Sequence, residues 1–382
     1  MSSGNSIYTA ALPPGIRSRV LANGNGLLMH VLEAGTAGAG RPCVLLLHGF
    51  PELAYSWRKL MLPLAAAGYY VVAPDQRGYG RTTGWDGAYD GDLASFRVIN
   101  LVRDTLGLLA ALGYRSVAAV IGHDFGAPVA AWCALLRGDV FRSVVLMSAP
   151  FVGPPELPPP HLETPPAAPS IHAALAALDP PRKHYHWYYS TREADANMRA
   201  CPQGLHAFLR AYYHFKSADW PGNTPYPLAA FSAPELAKLP TYYVMRLEQG
   251  MAETAAAEMP TPAAIAACPW LTEAELSVYS SEFQSTGFQG GLNWYRCRTS
   301  GRFEAEQQVF AGRRIEVPAL FIAGNSDWGA YQLPGALEKM RSEACARFAG
   351  CHFVEGAGHW VQQEQPAAVI ALLAKFLALA SG

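Results

Sequence analysis

The chain has 382 residues, of which 51% are hydrophobic and 15% are charged. These proportions allow a large buried core and exclude an intrinsically disordered protein. The 29 basic and 30 acidic residues leave a formal net charge of -1. Because neither sign dominates and no long basic run is present, nothing in the sequence indicates nucleic acid or an anionic membrane as a partner.

The ends of the chain and its cysteines indicate the cellular compartment in which the protein is expected to function. Residues 1–10 are polar and small, without the basic start and apolar stretch of a signal peptide. The longest apolar segment, residues 367–380, is too short to span a bilayer and is predicted to be a final core helix. Seven scattered cysteines without a Cys-x-x-Cys motif favour a reduced, cytoplasmic setting.

Short apolar runs alternate with helical patterns over residues 26–150, and the alternation returns after residue 313. Continuous apolar runs flanked by glycine and proline are typical of strands buried on both faces of a parallel sheet. We therefore predict an α/β fold with a mostly parallel sheet. The predicted strands are residues 44–47, 69–73, 117–121, 143–147, 319–323 and 347–354.

The middle of the chain has a different composition. Eleven of the 30 prolines fall between residues 150 and 181. Proline fixes φ and removes a hydrogen-bond donor, so this stretch is predicted to be an ordered tether without helix or central strand. Aromatic and helical patterns follow it. We predict a core formed by residues 1–150 and 313–382, with residues 151–312 inserted as the tether and a mainly helical lid. A flexible linker to an independent domain is the alternative.

The segment Gly122-His-Asp124-Phe-Gly126 lies between a predicted strand and a predicted helix. Small residues two before and two after the central residue permit a sharp turn, which holds the central side chain up at the sheet edge. The helix N-terminus favours an anion there. Asp124 stands where serine is usual, and a carboxylate attacks saturated carbon to form an alkyl ester. The alternative is a chance turn with a capping aspartate.

Three other segments supply the rest of a predicted catalytic site. His48-Gly-Phe-Pro51 follows a strand, and the N–H groups of Phe50 and Phe125 would form an oxyanion hole. Asp327 and His359 each follow a late strand, in the order expected after a nucleophile. His359 would deprotonate water while Asp327 orients its ring. No cluster has metal-ligand spacing, and we expect neither metal nor organic cofactor.

These motifs resemble the epoxide hydrolase branch of the α/β-hydrolase fold. The residues that carry the resemblance are His48-Gly-Phe-Pro51, Asp75-Gln-Arg-Gly-Tyr-Gly80, Gly122-His-Asp-Phe-Gly126, Phe288-Gln-Gly-Gly-Leu-Asn-Trp-Tyr-Arg296, Gly324-Asn-Ser-Asp327 and Gly356-Ala-Gly-His-Trp360. In that family the tyrosine of the Asn-Trp-Tyr-Arg motif holds the epoxide oxygen, which implies this role for Tyr295. A second lid tyrosine is implied as well: Tyr185 is favoured, and Tyr188 is the alternative.

The resemblance implies hydrolysis of a small hydrophobic epoxide to a vicinal diol through an aspartyl ester, with water as co-substrate. A phenol stays protonated at neutral pH and can donate to the oxygen as the ring opens. Aromatic side chains around the site predict an apolar pocket. The candidates for substrate contact are Trp187, Tyr188, Trp294, Trp328 and Trp360. The oligomeric state is not predicted.

Two other functions remain open at this stage. A dehalogenase uses the same aspartate, but Phe125 and Phe50 stand where its halide donors are common and cannot donate through their side chains. The His184-Tyr-His-Trp-Tyr188 segment keeps this alternative open, since some dehalogenase lids use such residues. The other alternative is a catalytically retired protein that binds a small hydrophobic ligand, which the presence of all the predicted catalytic residues disfavours.

Overall fold

A computed structural model describes residue 8 and residues 11–38, 40–158 and 170–380. Most of the N-terminal segment that carries no signal-peptide pattern, and residues 159–169 of the proline-rich stretch, lie outside the described residues.

Eight strands form one sheet in the order β1-β2-β4-β3-β5-β6-β9-β10. The first two pairings, β1 with β2 and β2 with β4, are antiparallel, and all the others are parallel. This confirms the α/β-hydrolase architecture expected from the sequence. The strands are β1 (Arg17–Ala22), β2 (Leu28–Ala34), β3 (Cys43–Leu47), β4 (Tyr70–Pro74), β5 (Ala119–His123), β6 (Val144–Met147), β9 (Ile315–Gly324) and β10 (Cys345–Val354).

All six predicted strands are present within a few residues of their expected bounds, and β3, β5 and β6 are buried throughout. The strands β1 and β2 were not predicted. The side chains of β1 are mostly exposed, so it lacks the continuous apolar run by which the central strands were recognised, and the buried run of β2 is interrupted by the polar residues His30 and Glu33. Together, the two strands form the antiparallel edge of the sheet.

Helices flank the sheet and form most of the segment between β6 and β9. Their bounds are α1 (Arg58–Ala66), α2 (Val98–Ala111), α3 (Gly126–Leu136), α4 (Ile171–Ala176), α5 (Tyr185–Tyr189), α6 (Ala194–Arg199), α7 (Leu205–Lys216), α8 (Ala233–Leu236), α9 (Met251–Ala256), α10 (Pro262–Ala267), α11 (Glu273–Thr286), α12 (Gln289–Thr299), α13 (Glu304–Gln308), α14 (Ala336–Lys339), α15 (Val361–Glu364) and α16 (Pro366–Ala380).

The segment between β6 and β9 corresponds to the predicted insertion. In its described part it contributes no strand to the large sheet, and its two short strands, β7 (Arg182–His184) and β8 (Val244–Arg246), pair antiparallel with each other. The expectation that the proline-rich stretch contains no helix was wrong for α4. Residues 171–179 are free of proline, and the Ser170 hydroxyl accepts a hydrogen bond from the Ala173 N–H to cap the helix. The exact domain division stays a prediction.

The C-terminal helix α16 buries Val369, Leu373, Phe376 and Leu377. These positions recur at three- and four-residue spacing and so share one face, as predicted for a core helix. Among the described residues, we find no helix whose length and apolar character would let it cross a membrane.

Candidate active site

The candidate nucleophile lies in the sharp turn between β5 and α3. Asp124 has φ of +49°, a conformation that non-glycine residues rarely adopt and that raises the side chain above the turn. The turn depends on its two glycines. A Cβ on Gly122 would lie 2.1 Å from the Gly126 carbonyl oxygen, and one on Gly126 would lie 2.2 Å from the Leu47 carbonyl oxygen. The small residues singled out in the sequence are therefore sterically required.

The two oxygens of the Asp124 carboxylate have different surroundings. The Phe50 N–H donates to Oδ1 at 2.9 Å. Oδ2 lies 3.2 Å from Nε2 of His359, but these atoms are not aligned as a hydrogen bond, and Nε2 has no hydrogen-bond partner among the described residues. One carboxylate oxygen is thus held by the backbone, and the other faces a ring nitrogen that is available for proton transfer.

His359 is oriented from its other nitrogen. Its Nδ1 lies 3.1 Å from Oδ1 of Asp327, which also accepts from the Gly329 N–H at 2.7 Å. The hydroxyl of Ser148 donates to Oδ2 of Asp327. Asp327 is almost fully buried. Its hydrogen bonds therefore fix both its position and, through it, that of the imidazole.

A second buried pair lies beneath the turn. Nδ1 of His123 is 2.6 Å from Oε2 of Glu52, and its Nε2 is 2.7 Å from the His359 carbonyl oxygen. The other Glu52 oxygen accepts from the side-chain amides of Gln362 and Gln363. His123 therefore connects the nucleophile turn to the loop that carries His359.

Two lid tyrosines line the cavity that contains the candidate nucleophile. Tyr295 on α12 and Tyr185 on α5 line the same cavity as Asp124, which has a volume of about 500 Å³. Their ring centroids lie 5.9 Å apart, and the Tyr295 ring also packs edge-on against Phe125 at 4.8 Å. A ligand in this cavity could therefore contact both the carboxylate and the two phenols.

Burial and charge separate the protonation states of these groups. Burial acts to raise the pKa of the Asp124 carboxyl, but the contact with His359 and the charges of Lys216 and His123 outweigh it and lower the pKa below its usual range. Burial, with the negative charge of Asp124, raises the pKa of Tyr295 and of Tyr185 well above the usual value. The site thus pairs an ionised carboxylate with protonated phenols.

The sequence matches the profile of the alpha/beta hydrolase fold family over residues 42–366. Epoxide hydrolase A of Mycobacterium tuberculosis is 33% identical to this chain over 361 residues, covering 94% of this chain and 96% of that protein. Epoxide hydrolase B of the same organism is 34% identical over 361 residues, with coverage of 94% and 97%. The chain belongs to the epoxide hydrolase branch of the α/β-hydrolase fold family.

Solved structures agree with this membership. An epoxide hydrolase from an endophytic Streptomyces superposes with a TM-score of 0.75 at 30% identity, covering 96% of each chain. Potato epoxide hydrolase I superposes with a TM-score of 0.72 at 28% identity, covering 95% of this chain and 99% of that chain.

In this α/β-hydrolase, the aromatic residues predicted to contact substrate lie in different places. Trp187 lines the cavity and is 39% exposed, so it stands near the entrance. Trp294 lines a neighbouring cavity of about 340 Å³ and donates to the Arg77 carbonyl oxygen at 3.0 Å.

The other three predicted contact residues are not in the lining of either cavity. The Tyr188 hydroxyl donates to the side chain of Asn197, and the Trp328 ring packs against Tyr226 at 5.0 Å. Trp360 donates to the Tyr213 carbonyl oxygen at 2.8 Å.

Three residues that support the site were not assigned from the sequence. The Ser148 hydroxyl donates to Asp327. The backbone N–H of His359 donates to the carbonyl oxygen of Lys216 at 2.9 Å. Glu364 accepts hydrogen bonds from the N–H groups of Gly358 and Trp360, each at 2.9 Å. The carboxylate of Glu364 thus brackets His359 on both sides. None of the three belongs to a motif. The one signal in the sequence is Glu364 itself, an acid five residues after the candidate base.

Proposed function

We propose that this protein is an epoxide hydrolase that converts a hydrophobic epoxide into a vicinal diol through an alkyl ester of Asp124. The observation that carries the proposal is a carboxylate at the strained turn, facing a cavity that two lid phenols also line. Serine hydrolases of this fold would place a hydroxyl at that position. An apolar substrate is supported by Phe125, Ile171, Trp187 and Leu333 in the lining.

In the first step, Oδ2 of Asp124 attacks an epoxide carbon. The C–O bond of the ring breaks, its electron pair goes to the epoxide oxygen, and Tyr295 or Tyr185 gives that oxygen a proton. The Phe50 N–H already holds Oδ1, which leaves Oδ2 as the attacking oxygen. A positioned general acid of this kind contributes roughly 10²–10⁴-fold to the rate.

In the second step, His359 takes a proton from water at Nε2, and the water oxygen attacks Cγ of Asp124. The negative charge develops on Oδ1, where the N–H groups of Phe50 and Phe125 stabilise it. The tetrahedral intermediate collapses with cleavage of the Cγ–Oδ2 bond, and the imidazolium protonates the departing alkoxide. The diol leaves, Asp124 retains the oxygen of the water, and the second proton of the water passes from the Asp124 carboxyl to the tyrosinate, which restores the phenol. Asp327 stabilises the imidazolium between the two proton transfers.

A turnover screen tests this function. Styrene-type and aliphatic epoxides are incubated with the wild-type protein and with Asp124→Ala, and the diol is measured. In a parallel assay, halogenated acids and alkanes are incubated with the same two proteins, and the released halide is measured. We expect diol from the wild type and none above background from the variant. Halide release without diol formation would instead establish a dehalogenase. Formation of neither product would support a retired, ligand-binding protein.

A further inference from the structure

Among the residues that the structure describes, two that are not glycine have a φ in the left-handed region. They are Asp124, the candidate nucleophile, and Ser148, whose φ is +69°. Residues held in this conformation are strained, and they persist where the surrounding structure enforces them, most often at functional sites. The nucleophile turn accounts for the strain at Asp124. The proposed mechanism gives Ser148 no role, so the strain there needs a cause of its own.

Ser148 is fixed between two strands of the parallel sheet. It follows β6 directly and is fully buried. Its N–H donates to the Ile322 carbonyl oxygen at 3.0 Å, on the neighbouring strand β9, which leads to the loop that carries Asp327. From this position the Ser148 hydroxyl donates to Oδ2 of Asp327. The strained residue is thus held against the strand that precedes the candidate acid.

The Ser148 hydroxyl completes the hydrogen bonds of the Asp327 carboxylate. Oδ1 of Asp327 lies 3.1 Å from Nδ1 of His359 and accepts from the Gly329 N–H at 2.7 Å. Oδ2 has the Ser148 hydroxyl as its one hydrogen-bond partner within the described ranges of the chain. Since Asp327 is almost fully buried, loss of the hydroxyl would leave this oxygen without a donor and would release the carboxylate to rotate away from His359.

Ser148 also joins Asp327 to the buried pair beneath the nucleophile turn. Its Oγ lies 3.3 Å from Nε2 of His123, whose Nδ1 is 2.6 Å from Oε2 of Glu52. Burial acts to lower the pKa of His123, but the charge of Glu52 and the hydrogen bond to it outweigh burial and raise the pKa, which favours a ring that donates from both nitrogens. Nε2 of His123 can then donate to the Ser148 oxygen while the hydroxyl proton points to Asp327. The direction of the hydroxyl is therefore favoured from both sides.

We propose that Ser148 is a positioning residue, whose hydroxyl holds the Asp327 carboxylate so that Oδ1 faces Nδ1 of His359 during hydrolysis of the ester. The inference rests on the proposed function, because it assigns Ser148 a part in the second step of that reaction. The hydroxyl takes no part in ring opening, in which Asp124 and the lid phenols react. The left-handed backbone at Ser148 is retained because it brings the hydroxyl to Asp327, although it costs stability.

The test compares two variants that lack the hydroxyl but differ in strain. Ser148→Ala keeps the Cβ and the strain, whereas Ser148→Gly removes both and should unfold at a higher temperature than Ser148→Ala, because glycine adopts the left-handed conformation readily. Ser148→Cys has nearly the same shape as the wild type and a weaker donor. The matched control is Ser143→Ala, since Ser143 is buried at the other end of β6 and its hydroxyl donates to the Ala118 carbonyl oxygen at 2.7 Å.

Single-turnover rapid mixing gives the rates of ring opening and ester hydrolysis for each protein. In Ser148→Ala and Ser148→Gly, ester hydrolysis should slow about 10-fold, which is the scale of a hydrogen bond to a charged group, while ring opening keeps its rate. Ser148→Cys should lie between Ser148→Ala and the wild type, and Ser143→Ala should keep both wild-type rates. Equal slowing in the alanine and glycine variants, despite their different unfolding temperatures, would assign the effect to the hydroxyl.

Two further readouts do not respond to stability alone. Slower ester hydrolysis with unchanged ring opening should raise the fraction of chains that carry the substrate mass in the steady state, as measured on the intact protein. In the proton NMR spectrum, the hydrogen between Nδ1 of His359 and Asp327 should give a low-field resonance in the wild type and in Ser143→Ala. This resonance should move upfield or disappear in Ser148→Ala and Ser148→Gly, and His359→Gln identifies it by its absence.

The outcomes that overturn the inference differ from the one that overturns the proposed function. If the wild type turns over epoxide and both hydroxyl-free variants hydrolyse the ester as fast as Ser143→Ala, the function stands and the positioning role is refuted. The role is also refuted if both steps slow by the same factor, or if Ser148→Gly regains the wild-type rate, because the defect would then follow stability. If the wild type hydrolyses no epoxide of the wider screen, the proposed function itself fails.

Discussion

Replacement of His359 by glutamine separates the two chemical steps that we propose. The imidazole is held at Nδ1 by Asp327, and Nε2 faces Asp124 without a hydrogen-bond partner among the described residues. Glutamine has about the same reach but no nitrogen that accepts a proton from water. Ring opening needs only the carboxylate and the phenols, so it should continue. Loss of a positioned general base typically slows a step by about 10²–10⁴-fold, which corresponds to about 3–5 kcal/mol of activation free energy.

Because only the second step loses its base, the covalent ester should accumulate. The assay mixes His359→Gln with excess epoxide and measures the intact protein mass, then locates the added mass by peptide analysis. We expect one substrate mass per chain on the peptide that contains Asp124. The double variant Asp124→Ala, His359→Gln is the control and should carry none. If His359→Gln retains its fold but forms no adduct, or if ring opening and ester hydrolysis slow by the same factor, the assignment of His359 as base is wrong.

Three further predictions concern the lid phenols and the support of the base. Tyr295→Phe should slow ring opening by about 10²-fold and ester hydrolysis far less, because the phenol donates in the first step only. Rapid-mixing kinetics separate the two steps, and equal slowing of both, or an equal effect of the Tyr188→Phe control, would contradict this. The ring-opening rate should not fall as the pH is raised to about 10, because burial raises the pKa of Tyr295 and Tyr185 and keeps both phenols protonated. A decline of the burst rate between about pH 8 and 10 would count against these tyrosines as acids. Glu364→Gln should slow ester hydrolysis by about 10-fold while ring opening persists. The Glu364 side chain accepts from the backbone N–H groups on both sides of His359 with its two oxygens, and the amide of glutamine has one acceptor oxygen instead of two. An equal slowing of ring opening would indicate a general structural defect.

The parallel part of the fold was predictable because its strands are buried on both faces. Such strands appear in the sequence as continuous apolar runs, and β3, β5 and β6 lie within two residues of their expected bounds. The exposed edge strand β1 lacks that signal, since its position in the sheet is set by pairing with β2 rather than by burial of its own side chains.

The candidate reacting groups were predictable where motifs and strand ends coincide. Asp124, Asp327 and His359 each follow a strand of the parallel sheet, and the fold places the two carboxylates 3.2 and 3.1 Å from the two ring nitrogens of His359. The lid was harder to predict. The side chains of the His184-Tyr-His-Trp-Tyr188 segment are all aromatic, but they point in different directions. Tyr185 faces the cavity, whereas the Tyr188 hydroxyl is turned to Asn197. That difference depends on how the short helix α5 packs, which spacing alone does not specify.

Residues that hold the candidate catalytic residues in place through hydrogen bonds were not predictable from the sequence. Ser148 belongs to no recognised motif, yet its hydroxyl donates to Asp327. Such a contact joins residues 179 positions apart in the chain and leaves no periodic pattern in the sequence.

The central claim is that a side-chain carboxylate, rather than water, attacks the epoxide, and isotope transfer tests it most directly. A single turnover is run in water enriched in oxygen-18, with the protein in excess over the epoxide, and both the diol and the Asp124 peptide are analysed by mass. The account predicts that the label enters Asp124 and that the first diol carries none. Labelled diol together with an unlabelled Asp124 peptide would show direct attack by water and would contradict the account.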